Sequence, residues 1–354
     1  MPDRDALSAA NALEQLLHCP DPGSFQGAIR RLHSRFDIYA ATSPAPLPAP
    51  GLAVTPEIRC QCEFYLPLSE VARCFNRFYC STLSYSPILS STPFHNALSW
   101  ADAYLALSPR FQASANPARL LEALLDDREL MTEFLFASFL PNRFYGGFNR
   151  YPLQRKYLEG WLAGQDKKQL RCLDAACGAG EETYGLAALL LASGFGTDAL
   201  RIEGWTLDPL EVWAATHVRF PHDPHRESTC QREVAAIFEQ GAGRCLVFSC
   251  ANLLSGCPTS EGEFDLILCN GLLGGPIINQ RIELELAVRT LAALLKPGGL
   301  LLAADSFHGG WKKNIPRETL GEVFKSCGLF VREAGEGIVG LKCPWQSQAA
   351  SVYS

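Results

Sequence analysis

The stretch CLDAACGAGEETYGLAALL (172–190) joins an apolar run ending at Asp174 to two glycines, Gly178 and Gly180, and then to two carboxylates, Glu181 and Glu182. Glycines let the backbone turn tightly and let a ligand approach with no Cβ in between. With a strand before the turn and a helix after it, a ligand here would lie at the carboxyl end of a strand, where open α/β sheets bind. A dinucleotide fingerprint needs a third glycine where Thr183 stands, and it rests a pyrophosphate on the helix N-terminus. Glu181 and Glu182 would repel that anion. They suit a cationic ligand bearing an ammonium and a sulfonium. The glycines alone are uninformative: they could merely make a turn, with the acids favouring the helix N-terminus electrostatically.

Four later features fall where such a ligand would need them. Asp208, in GWTLDPLEVWAA, can accept hydrogen bonds from both hydroxyls of a ribose. It also suits the N-cap of the next helix, with Pro209 at the first helical position. Asn252-Leu253 in FSCANLL is suited to an adenine edge and face. FDLILCNGLL (264–273) is an apolar strand running out toward the same crevice. LLKPGGLLLAAD (294–305) is a helix stop, a Pro-Gly-Gly turn and an apolar strand. S-Adenosylmethionine carries both the ammonium and the sulfonium that the acidic pair favours.

The elements that must position these residues follow from hydrophobic periodicity. Segments 5–19 and 24–38 pattern as amphipathic helices, the second with Ser24 as N-cap and Ala28, Ile29, Leu32 and Phe36 at helical spacing. Residues 41–56 hold five prolines and no charge, an extended linker. Residues 57–145 are mostly helical, and Asn116-Pro117 marks one helix start. Beyond residue 165 strands alternate with helices. The strands fall at 170–176, 201–208, 244–250, 264–270 and 299–306, and the helices near 181–193, 210–219, 231–239 and 279–295. A helix near 317–327 precedes two segments, 329–335 and 338–343, short enough to pair antiparallel. The expected organisation is N-terminal helices over 1–40, a linker over 41–56, a helical accessory or substrate region over 57–145, and a doubly wound α/β domain over 146–354.

Over about residues 146–343 these motifs resemble the class I S-adenosylmethionine-dependent methyltransferases. The resemblance implies a Rossmann-like sheet of seven strands with helices on both faces, its last pair a reversed hairpin. Within the class, ACGAGEETYGLA resembles the chemotaxis-receptor glutamate methyltransferases (CheR). FNRYPLQRKYLEGWL (148–162) stands in the place of their F-F-R segment, and ANLL and FDLILCN match their N-L-L and F-D-x-I-x-C-R-N motifs in order. The resemblance places Phe148 and Arg150 near the methyl donor, Glu182 on its amino group, and Asn252 and Leu253 by the adenosine. The chain departs from that branch after Cys269, where arginine and tyrosine are absent and Asn270 matches only by a shifted alignment. It also has too few residues before the third strand for a receptor-docking β-subdomain. The expected cofactor contacts are Asp174, Ala176, Gly178, Gly180, Glu182, Asp208, Asn252, Leu253 and Asn270.

Methyl transfer is an in-line displacement, so the protein chiefly aligns the acceptor and excludes water. Arg150 suits a carboxylate acceptor, with Arg143 and Arg155 nearby, and Tyr145 and Tyr151 flank it; Arg150, Tyr151 and Tyr145 are the candidate catalytic residues. RFYGGFNRY also reads as an elbow with packed aromatics and solvated arginines. The favoured function is methylation of a small molecule held between the helical region and the Rossmann-like domain. A protein carboxyl methyltransferase of the CheR type and a non-catalytic cofactor-binding protein are the alternatives.

Composition bounds these readings. Of 354 residues, 47% are apolar, enough for a sizeable core, and the net charge of −6 argues against a protein that coats phosphate backbones. No run approaches the roughly 18 apolar residues of a membrane span, and the N-terminus lacks a signal-peptide core. A cytoplasmic setting with reduced thiols is therefore expected for the 14 cysteines. Cys60, Cys62, Cys74 and Cys80 do not have a standard zinc spacing. His217, His222 and His225 fall in a loop, so no metal is expected, and the expected partner is a small molecule rather than nucleic acid, membrane or protein.

Overall fold

The computed structural model describes residues 6–140, 147–165, 168–255, 262–275, 277–304 and 315–343. Described residues up to 140, with 219–228, form one compact unit; those of 147–218 and 229–343 form another.

The first unit is helical: α1 (Ala6–Leu16), α2 (Gln26–Thr42), α3 (Pro56–Tyr65), α4 (Leu68–Thr82), α5 (Trp100–Ala106), α6 (Pro117–Asp126) and α7 (Arg128–Phe139). Its core is aromatic, with Phe25, Phe75, Phe78, Tyr79, Trp100 and Phe134 wholly buried. Phe134 lies 5.8–6.2 Å from the rings of Phe75, Phe78 and Tyr79, distances at which aromatic pairs attract. Asn116 caps α6 as its sequence suggests, Oδ1 accepting from the Ala118 N–H at 2.9 Å. Ser24 does not cap α2. Asp21 caps a short 3-10 turn over Pro22–Phe25 instead, and α2 continues from it. The carboxylate immediately before the turn reaches the free N–H groups of Gly23 and Ser24, whereas the Ser24 hydroxyl donates back to the Asp21 carbonyl.

The second unit contains α8 (Pro152–Ala163), β1 (Leu170–Asp174), α9 (Glu181–Ala192), β2 (Leu200–Thr206), α10 (Pro209–His217), most of α11 (Pro224–Glu239), β3 (Leu246–Cys250), β4 (Phe264–Leu268), α12 (Arg281–Leu294), β5 (Leu295–Ala304), α13 (Arg317–Ser326), β6 (Leu329–Ala334) and β7 (Gly337–Lys342). The strands form one seven-stranded sheet in the order β3-β2-β1-β4-β5-β7-β6. β1 to β5 are parallel, and β7 runs antiparallel to both neighbours. The sheet is Rossmann-like, with the seven strands and reversed last pair that the sequence motifs imply. Central β4 is buried at every position because helices cover both faces. On one face Leu173, Ile267 and Leu301 pack with Leu284, Val288 and Leu291 of α12 and Phe324 of α13. On the other, α9 and α10 are tied together by the Tyr184 hydroxyl, which donates to the Ala215 carbonyl at 2.6 Å.

Two expected boundaries move. The histidine segment is not all loop: His217 ends α10, and Pro224 starts α11, which takes in His225. Proline at a first helical position has no N–H to leave unsatisfied. β5 starts at Leu295, so Pro297-Gly298-Gly299 lies within the strand and not before it. The ladder to β4 shifts register there, between Phe264 and Leu266, and Gly298 has φ +79°.

Candidate functional site

β1 lies between β2 and β4, and the chain leaving it is held open by both. The Ala175 N–H donates to the Leu268 carbonyl of β4 at 2.7 Å, and the Cys177 N–H to the Trp205 carbonyl of β2 at 3.0 Å. The turn then uses left-handed backbone at Gly178 (φ +50°) and Gly180 (φ +92°). A Cβ on Gly180 would lie 2.9 Å from that of Ala215, so the turn packs directly on α10. α9 begins at Glu181 with no side-chain cap. This first turn lies at the switch point of the sheet, beyond the carboxyl ends of β1 and β4.

Asp174 is 1% exposed. Its Oδ2 accepts from the Thr183 hydroxyl at 2.7 Å, and its Oδ1 from the Ala176 N–H at 3.4 Å. Half-buried Glu182 accepts at Oε1 from Asn270 Nδ2 at 2.5 Å. Burial raises both carboxyls, Asp174 to about 6 and Glu182 to about 8, and the Asp174 charge adds to the rise in Glu182. The Arg150 guanidinium opposes both rises. The pair therefore keeps a proton near neutral pH that free carboxyls would lose.

This has a sign for stability. Folded carboxyls with raised pKa bind more protons than unfolded ones, so stability is full below the unfolded pKa and lost as pH rises through the folded value. Between pH 4 and pH 8 the free protein is expected to lose stability, read as a steadily falling Tm. Thermal melts across that range check it: Glu182→Gln should flatten the slope, and an unchanged slope would locate the titration elsewhere.

Arg150 and Tyr151 precede α8. The guanidinium sits 4.7 Å from the Tyr151 ring centroid, and the Arg150 Nε and Tyr151 hydroxyl are buried with no hydrogen-bond partner among the described residues. Burial, with Glu182 next in weight, raises the Tyr151 pKa, so the hydroxyl is a donor and not a base. A Cβ at Gly271 (φ +70°) would lie 3.1 Å from Arg150 Nη2 and 3.6 Å from the Tyr151 oxygen. Arg150 and Tyr151 line a small cavity with Phe148, Glu182, Gly185 and Leu186. Tyr145, with Arg143, lies outside the described residues.

The remaining expected contacts are placed as follows. Ala176 gives its N–H to Asp174. Asp208 caps α10, Oδ1 accepting from the Leu210 N–H at 2.8 Å, and is 6% exposed. Asn252 is exposed in a turn, accepting from the Leu254 N–H at 2.9 Å. The Leu253 side chain is 6% exposed and packs in the α12 face of the core. Asn270 is buried among polar partners of its own.

Sequence reasoning missed three residues here. Glu211 bonds the Thr206 hydroxyl through Oε2, and its Oε1 lies 3.9 Å from where a Gly178 Cβ would be. Its spacing from Asp208 is that of a capping box, which could have exposed it. Glu336, in the β6–β7 turn, accepts from the Leu153 and Gln154 N–H groups at 3.0 and 2.8 Å and so caps α8. Gln154, 3% exposed, bonds Asn270. No local signal marks these last two.

No family model matches the chain, and no curated protein does. Solved structures do resemble it. The [4+2]-cyclase SpnF is 23% identical over 50% of this chain, which spans 57% of that protein, with a TM-score of 0.34. A Burkholderia thailandensis 1,6-didemethyltoxoflavin N1-methyltransferase is 15% identical over 64% of this chain and 86% of its own, with a TM-score of 0.36. A Methanosarcina mazei S-adenosylmethionine-dependent methyltransferase is 11% identical over 50% and 94%, with a TM-score of 0.34. One of the three is named for a cyclisation, so likeness of this degree says nothing about the reaction.

Proposed function

We propose that the chain binds S-adenosylmethionine and transfers its methyl group, with a small molecule as acceptor. The observation that carries this reading is the pair Asp174 and Glu182, two carboxylates brought together at an open glycine turn. A site that holds like charges under burial is completed by a cation. The cofactor's ammonium would sit on this pair, its ribose on Asp208 or Glu211, and its adenine beside the Asn252 turn. When bound it supplies an electrophilic methyl carbon activated by sulfonium. Arg150 would hold an anionic group of cofactor or acceptor, and the Tyr151 hydroxyl would donate to an acceptor oxygen or nitrogen. Neither removes a proton, which suits a nucleophile needing little base catalysis.

A protein carboxyl methyltransferase of the CheR type is the second reading, and the GEETY turn beside Arg150 is what favours it. Against it, helix α11 fills the stretch before β3 where that branch would carry its docking β-subdomain. A non-catalytic cofactor-binding protein is the third reading; the retained acids at 174, 182 and 208 weigh against it.

Calorimetry with S-adenosylmethionine tests the core of the proposal, and absence of heat sinks it. Asp208→Asn is preferable to alanine, since asparagine caps a helix as well as aspartate does. The expected result is a roughly tenfold weaker Kd for Asp208→Asn or for Glu211→Gln, as a hydrogen bond to a charged group contributes about 1.5–3 kcal/mol. Labelled cofactor incubated with a cell extract identifies the acceptor class. Label in a base-labile protein methyl ester would replace the small-molecule reading, and binding without transfer to anything would leave the non-catalytic one.

A further inference from the structure

Asn270 lies just beyond β4, 4% exposed, and its amide makes four hydrogen bonds inside the protein. Oδ1 accepts from the Ala304 N–H at 2.7 Å and from Gln154 Nε2 at 3.0 Å. Nδ2 donates to Gln154 Oε1 at 2.8 Å and to Glu182 Oε1 at 2.5 Å. A primary amide has two acceptor sites and two donors, so Asn270 has none left for a ligand. Its orientation is fixed by the backbone. The Ala304 N–H can only donate, which turns Oδ1 toward β5 and leaves the NH2 facing Glu182. Gln154 closes a reciprocal amide pair that a flipped Asn270 would break at every contact. Gln154 is fixed in turn by Glu336, which caps α8 at Leu153 and Gln154 from the β6–β7 turn.

We propose that Gln154 is a positioning residue of the cofactor site: paired with Asn270, it holds the Asn270 NH2 on Glu182 Oε1 and so presents Glu182 Oε2 as the acceptor for the cofactor's ammonium. This rests on the reading of the site as one for a cationic cofactor. Around Glu182 stand Asp174 from β1, Glu181 from α9, and Arg150 and Tyr151 from the segment before α8. Among the described residues, the Arg150 guanidinium and the Asn270 amide favour the ionised carboxylate. Loosening the amide therefore shifts the balance toward the protonated form, which cannot hold an ammonium as strongly.

Gln154→Met keeps the side-chain length and a good helix former while removing both amide contacts. In the unliganded protein the 13C-carboxyl titration of Glu182, identified by its loss in Glu182→Gln, should move upward by about one unit, given the size of a hydrogen bond to a charged group. The S-adenosylmethionine Kd should weaken about tenfold near neutral pH, and the deficit should close at higher pH, where Glu182 ionises in either protein. A purely structural loss would weaken binding equally at all pH values. An unchanged Glu182 midpoint in folded Gln154→Met overturns the proposal. If that variant does not fold, the wild type decides: the Asn270 side-chain NH2 resonances should titrate with Glu182, and invariance overturns the coupling. Absence of cofactor binding by the wild type at any pH would instead fell the methyltransferase reading, while the titrations would still decide whether Gln154 governs Glu182.

Discussion

Gly185→Ala is expected to weaken S-adenosylmethionine binding by at least tenfold while leaving the seven-stranded sheet folded. Gly185 lies in the second turn of α9, and a Cβ there would fall 2.3 Å from the backbone carbonyl oxygen of Phe148. A backbone oxygen cannot swing aside as a side-chain tip can. Either the 147–151 segment lifts off α9 or the helix shifts, and the first displaces Arg150 and Tyr151 from the Glu182 end of the crevice. Overpacking of this kind costs about 1–3 kcal/mol, which more than offsets the roughly 1 kcal/mol that alanine gains in a helix. Gly160→Ala provides the control. Gly160 is also helical, but it is exposed and nothing lies within 4 Å of its added Cβ. That substitution should stabilise the protein by about 0.5–1 kcal/mol and leave the Kd alone. Calorimetry and thermal melts on the two variants check both halves. Equal affinities would mean that contact with α9 does not seat the Arg150 segment.

Glu182→Gln should move stability and affinity in opposite directions. Glutamine offers Oε1 to the Asn270 NH2 just as glutamate does, so the buried amide network survives. It removes a carboxylate whose ionised form is disfavoured by burial and by Asp174. The free protein should therefore gain on the order of 1 kcal/mol at pH 8, where the wild-type pair is losing its shared proton. The same change deletes the proposed charge-assisted contact to the ammonium, so the Kd should rise about 10- to 100-fold. Gain of stability with loss of binding is the signature of a residue strained for function. If Glu182→Gln instead loses stability and binds the cofactor normally, Glu182 is a structural member of the network and the cation sits elsewhere.

Much of the α/β unit was legible before its coordinates. All seven strand segments carried short apolar runs punctuated by Gly, Pro or Asp, and their order with intervening helices implied the parallel sheet with an antiparallel end. Caps were less reliable. Asn116-Pro117 behaved as its local chemistry dictates, but Ser24 gave way to Asp21 because a carboxylate three residues earlier could reach two free N–H groups. The prolines in the histidine segment suggested loop, although Pro224 is where α11 begins. Local signals mark that a boundary exists better than they mark which residue makes it.

The site divides along the same line. The glycine turn, the acids after it and Asp208 belong to contiguous motifs whose meaning lies within a few residues of chain, so the sequence alone determined a Rossmann-like crevice edged with carboxylates, the feature on which the proposed cationic ligand rests. Tertiary structure decided which of the polar groups remain available to a ligand. Asn270 reads as a cofactor contact in the FDLILCN motif that carries it. Its hydrogen bonds are nevertheless taken by Glu182, 88 residues away, by Gln154, 116 away, and by the Ala304 backbone. Gln154 is held by Glu336, 182 residues distant, and Gly185 matters only because the Phe148 carbonyl passes over it. Hydrophobic periodicity and turn chemistry act over one or two turns of chain and are written locally. The saturation of a buried amide depends on which distant groups the packed sheet brings within 3 Å of it, and only the folded chain settles that.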